Sequence, residues 1–222
     1  MRRLFSVVAV VAVAFASHAA AAVASPSTTN VFHFKGRAAS AVLTDCVFGS
    51  AVGTECRAID VFAFEQRIKD NGQQFGGPGV SVTLFRIVIT DVAPGYVATP
   101  IGSGFTDIAS VDLNASLSGG SASAVDVRLC DFFPCEPGAL GNISVSVQWL
   151  GYGATSKFKA HDKFNDGLCS GNFHNSGTFR FANATGTVNG VRFVEPVIIQ
   201  FPATLQTDKS GSVVRCTLVG PL

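Results

Sequence analysis

Charge is scarce in this chain. Its 222 residues include 16 Lys/Arg and 15 Asp/Glu, 14% of the total, against about 25% in an average soluble domain, while 47% are apolar. That balance excludes a wholly disordered chain. Trp and Tyr are rarer still, at one and two, although Phe occurs 19 times. Rings suited to stacking on sugars are therefore few, and the Phe content points to core filling. No apolar run reaches the roughly 18 residues of a membrane-spanning helix. No helical apolar period recurs after residue 24, and G-x-S-x-G, H-E-x-x-H and paired C-x2-C spacings are missing. The usual parts of a serine-hydrolase elbow, a zinc hydrolase or a zinc knuckle are thus lacking.

The N-terminus carries Arg2 and Arg3, then an uncharged run from Leu4 to Ala16, then Ala22-Val23-Ala24 before Ser25. This is the pattern of a secretory signal over residues 1–24, and it predicts a product, 25–222, secreted to the cell exterior or the periplasm. Without Arg2 and Arg3 the chain has 14 cationic against 15 acidic side chains, and no basic stripe stands out along it. Nucleic acid is therefore not expected as a partner, whereas an extracellular protein or glycan is compatible. No cofactor is implied, and no transmembrane segment is expected after the leader.

All six cysteines, Cys46, Cys56, Cys130, Cys135, Cys169 and Cys216, follow the leader, and an even count in an exported chain predicts disulfides. Sequence-local pairing joins Cys46 to Cys56 and Cys130 to Cys135, which leaves Cys169 for Cys216.

Period-two segments bounded by Gly, Pro, Asn, Asp or Ser recur throughout 25–222. They predict an all-β fold, an antiparallel β-sandwich or barrel of about twelve short strands stapled by disulfides. Ile143, Val145, Val147 and Trp149 alternate with polar residues, so Trp149 is expected in the core with its indole N–H bonded inside. Val80 to Val92 is apolar on both faces and reads as a strand covered on both sides. Asn189-Gly190 predicts a type I′ hairpin. Pro196 and Pro202 place Val197 to Phe201 along a sheet edge. Ser118 to Ser123 has linker composition. A single domain over 25–222 is the reading adopted, with two sandwiches, 25–118 and 122–222, as the alternative.

The most polar segment runs from His161 to His174 and contains Asp162, Asn165, Asp166 and Ser170. It supplies the residue types of a nucleophile, base and orienting acid, which makes a hydrolase site there the runner-up. As a calcium loop it fails, because Phe164 and Phe173 occupy ligand positions of the 12-residue pattern, and no metal site is expected. A solvated loop stapled by Cys169 is the simpler description. Tyr152 is the candidate for an exposed ring. Phe132 and Phe133, in the tight loop between Cys130 and Cys135, are candidates for an outward-facing apolar tip that docks on a protein target, as an effector or inhibitor would. The leading expectation is a non-enzymatic binding or structural surface module, with Phe132, Phe133, Tyr152, His161, Asp162 and His174 as its candidate contacts.

Overall fold

The alternation seen in the sequence becomes strand along nearly the whole chain. The computed structural model describes residues 27–47, 49–93, 95–131, 140–166, 168–195 and 202–217. Among the described residues eleven strands form one antiparallel sheet and no helix occurs. They are β1 (Ser27–Thr44), β2 (Glu55–Asp70), β3 (Gln73–Phe75), β4 (Pro78–Ile89), β5 (Tyr96–Thr106), β6 (Ala109–Leu113), β7 (Gly119–Arg128), β8 (Asn142–Asn165), β9 (Cys169–Val188), β10 (Val191–Val194) and β11 (Ala203–Thr217). Several are long rather than short. β8 runs for 24 residues because a bulge between Tyr152 and Ser156, with Gly153 at φ 69°, joins two segments that composition alone separates.

The sheet closes on itself as a small barrel with strands running beyond it. Going round, β4 pairs β2, β2 pairs β1, and β11 followed by β10 fills the space between β1 and β9. β9 then pairs β8, and β8 pairs β7. β5 and β6 act as one interrupted stave between β4 and β7, since Ser103 bridges Cys130 in the same register in which Ala109 opposes Ala124. At this seam a Cβ on Gly104 would lie 2.3 Å from the Arg128 carbonyl, so only glycine permits the approach.

The barrel interior is filled by one residue in two from each stave, including Ala41 and Leu43, Ile59 and Val61, Val80 and Val82, Val145 and Val147, Phe193 and Leu205, all buried. Trp149 is 3% exposed, and its Nε1 donates to the Ser40 carbonyl at 3.1 Å, as expected. Gly119 to Ser123, of linker composition, is part of β7, with Ala122 in this core. Small residues there let β7 lie close against β6 and β8, which outweighs their loop propensity. A second, smaller cluster of Ala58, Ile87 and Ile89 lies on the other side of β2 and β4, packed with Cys46, Cys56 and Phe85. The segment expected to be covered on both sides, Val80 to Val92, instead changes its buried face along its length: Val80 and Val82 enter the barrel core, Ile87 and Ile89 the second cluster, and the strand ends at Ile89 with Val92 exposed.

Cys46–Cys56 and Cys169–Cys216 are bonded as predicted, the latter joining directly opposed residues of β9 and β11. Asn189 (φ 49°) and Gly190 (φ 78°) make the predicted turn, and Asn71-Gly72 makes a second of the same kind between β2 and β3. Residues 1–24, Phe132, Phe133, Cys135, Pro196 and Val197 to Phe201 lie outside the described residues. No helix among the described residues is long and apolar enough to cross a membrane.

Candidate functional site: a two-faced sheet beyond the barrel

At one end of the barrel five staves do not stop. β8, β9, β11, β1 and the end of β2 run on as an open sheet, with β3 at its margin. The barrel mouth beneath it is closed by side chains. Arg37 Nη2 meets Glu65 Oε2 at 2.7 Å, Arg37 Nη1 donates to the Leu113 carbonyl, and buried Leu117 packs beside Trp149 in the core. Arg180 Nε donates to the Gly153 carbonyl at 3.0 Å in the β8 bulge.

Beyond the mouth, the residues in phase with the barrel interior become a cationic face. β8 presents Lys157, Lys159, His161 and Lys163, and β9 presents His174 and Arg180. β11 adds Lys209 and Arg215, β1 adds His33, Lys35 and Arg37, and β2 adds Arg67 and Lys69. Ten of the 14 lysines and arginines after residue 24 and all three histidines after it thus share one side. Glu65 is the face's one acid among the described residues, and it is already paired with Arg37. Apart from Arg37 and Arg180, these cations and histidines are exposed.

Lys209, Lys35 and Arg67 are directly opposed on three consecutive strands. Opposed like charges cost a few tenths to about 1 kcal/mol per pair. Among the described residues none of the three has an ion pair. His33, Lys35, Arg67, Lys69 and Gln74 line a shallow hollow of about 210 Å³ at the β3 margin. Uncharged donors and acceptors run down the middle of the face on β9: Ser170, Asn172, Ser176 and Thr178. The basic stripe that net charge and chain order fail to reveal is therefore present. Strand alternation collects cations from five separate segments, while Asp70, Asp162 and Asp208 go to the other side.

That other side is aromatic. Phe32 and Phe34 of β1, Phe158 and Phe164 of β8, and Phe173 and Phe179 of β9 lie on it. Several rings lie over glycines of the neighbouring strand: a Cβ on Gly171 would be 2.3 Å from Phe164 Cε1, and one on Gly177 2.5 Å from Phe158 Cε1. An aromatic ring over a cross-strand glycine covers backbone that would otherwise be bare. Phe164 also stacks on Phe173 at 5.5 Å.

The expected contact residues divide between the two faces. His161 and His174 are cross-strand partners on the cationic side, whereas Asp162 and Tyr152 are on the aromatic side, Tyr152 being 44% exposed and stacked on Phe181 at 6.3 Å. The solvated loop of the sequence reading is instead a β-hairpin from β8 to β9, and the reason is a period-two pattern of cations and aromatics with both faces in water. Ser170 lies four residues from His174 on β9, about 13 Å at roughly 3.3 Å per residue. Asp162 faces away from both, and Asp166 Oδ1 accepts the Leu168 and Cys169 amides at 2.9 and 2.6 Å, which lower its pKa. The nucleophile, base and acid types of this segment are not brought together. Asp45, Cys46 and Cys56 form the one cluster of metal-type donors among the described residues, and the Cys46–Cys56 disulfide removes its thiolates. Sequence reasoning missed the lysines and arginines because their signal, matching parity on five paired strands, depends on register.

No protein-family model, curated protein or solved structure matches the chain.

Proposed function

We propose that the protein is an exported, non-catalytic binding module whose projecting sheet lies along an extended anionic polysaccharide. The observation that carries this reading is the unpaired row Lys209, Lys35 and Arg67, continued by neighbouring cations over five strands. Lysines on an edge strand such as β8 also guard against edge-to-edge aggregation. β1 and β11 are interior strands of the projection, so Lys35 and Lys209 have no edge to guard. Their mutual repulsion is relieved by a ligand carrying repeated negative charge.

The face spans about 20 Å across five strands at roughly 4.8 Å spacing, which suits a polymer better than a single small anion. It holds no Phe, Tyr or Trp among the described residues, so the three imidazoles are its only rings on which the bases of a single-stranded nucleic acid could stack. The hydroxyl and amide column on β9 supplies hydrogen-bond partners for sugar hydroxyl, sulfate or carboxylate oxygens.

The test is titration with sulfated dextran, polygalacturonate, neutral dextran and single- and double-stranded DNA at two salt concentrations. Both anionic polysaccharides are expected to bind and neutral dextran is not. Lys35→Glu with Lys209→Glu should weaken binding at least about tenfold and flatten its salt dependence. Tighter binding to DNA than to either polysaccharide would overturn the reading in favour of nucleic acid.

A further inference from the structure

We propose that a row of three histidines makes ligand binding at the cationic face dependent on pH, tightening it in acid; this rests on the anionic-polysaccharide reading. His161 directly opposes His174, His174 opposes Gly211, and Gly211 opposes His33. A Cβ on Gly211 would lie 2.4 Å from His174 Cε1 and 3.2 Å from His33 Nδ1. Two imidazoles thus lean over one glycine from opposite sides, with the third adjoining, in the middle of the face.

The groups around the row are cationic or neutral. Lys159 and Lys163 flank His161 along β8, and Ser176 and Asn172 flank His174 along β9. On β11 Lys209 and Val213 flank Gly211. Lys35 and Val31 flank His33 along β1, and Lys69 opposes it on β2. Asp162, next in sequence to His161, points to the aromatic side.

Imidazoles exchange charge between about pH 5 and 8. A bound polyanion attracts an imidazolium more strongly than a neutral imidazole, so binding and protonation favour each other and affinity rises as pH falls. A divalent metal on the same imidazoles meets the opposite condition, because the surrounding ammonium groups repel it.

The experiment measures the affinity of the full mature chain for sulfated dextran of defined length at about pH 8 and about pH 5.5, at constant ionic strength. Wild type is compared with H33Q/H161Q/H174Q, whose fold is checked by circular dichroism. Wild type should tighten at least about tenfold in acid, while the triple variant binds with an affinity that stays flat between the two pH values. Binding with no acid gain, or an acid gain kept by the triple variant, overturns the histidine inference and leaves the anionic reading standing. Absence of wild-type binding at both pH values overturns both. K35E/K209E, weakened at both pH values, separates the fixed charge of the face from its titratable part.

Discussion

Asp208 stands on the aromatic face between Gly36 and Gly177, where its Oδ2 accepts from Gln206 Nε2 at 2.8 Å and its buried Oδ1 has no hydrogen-bond partner. Burial raises its pKa, and the Gln206 bond offsets only part of that. A carboxyl whose folded pKa lies above its unfolded value helps the fold while protonated, and that help is lost as pH rises through the folded value. Asp208→Asn should therefore raise the melting temperature at neutral pH and coincide with wild type near pH 3, read by thermal melts across pH. Gly186 gives a prediction of opposite sign. A Cβ there would sit 2.5 Å from the Ser146 carbonyl and 3.1 Å from Leu43 Cδ1 and Val147 Cγ2. Gly186→Ala should cost about 1–3 kcal/mol in urea unfolding, as overpacking does. Neither residue stands out in the sequence, because each is defined by what lies across the strand.

At the scale of the element, the β8–β9 hairpin shows what local chemistry reveals and what it hides. Asn189-Gly190 was legible because a two-residue turn carries its own backbone requirement, positive φ at both positions. Trp149 was legible because one buried face repeats every second residue. The part of the hairpin beyond His161, back to Gly177, was not, since both of its faces meet water and its alternation is cation against phenylalanine rather than polar against apolar. Its turn is held by Asp166, whose carboxylate is stabilised chiefly by the Cys169 and Leu168 amides. A lowered carboxylate contributes above the ordinary range and loses that contribution as pH falls through the lowered value. Asp166→Ala should lower the exchange protection factors of Leu168 and Cys169 while leaving the barrel amides protected, and strong acid should do the same to wild type once rates are normalised to the intrinsic exchange rate at each pH. Hydrogen exchange followed by mass spectrometry reads both; unchanged exchange at the turn would contradict the role given to Asp166.

For the whole molecule, the all-β class and two disulfides could be read from composition and spacing, but closure and charge separation could not. Closure depends on Ser103 meeting Cys130, and charge separation on five registers agreeing in parity. The two pairs bonded among the described residues also act on different parts. In the loop-entropy model Cys169–Cys216, 47 residues apart, is worth about 4 kcal/mol, and Cys46–Cys56, 10 apart, about 3. Cys169–Cys216 ties the far end of the projection, which has no core of its own. Cys169→Ser with Cys216→Ser should therefore fall short of its model value in global unfolding and appear first as faster exchange in the ends of β9 and β11. Cys46→Ser with Cys56→Ser should lower the unfolding midpoint itself, since both half-cystines pack against Ala58, Ile87 and Ile89.

The staves that fill the barrel are the same chains that carry the lysines, so the position of every ammonium group is calibrated by apolar packing some distance away. Inserting two residues into β11 inside the barrel would keep each side chain on its proper face yet displace Lys209 one step past Lys35. The projection behaves as a ruler whose graduations are engraved in the core, and its spacing can be retuned without touching a single charge.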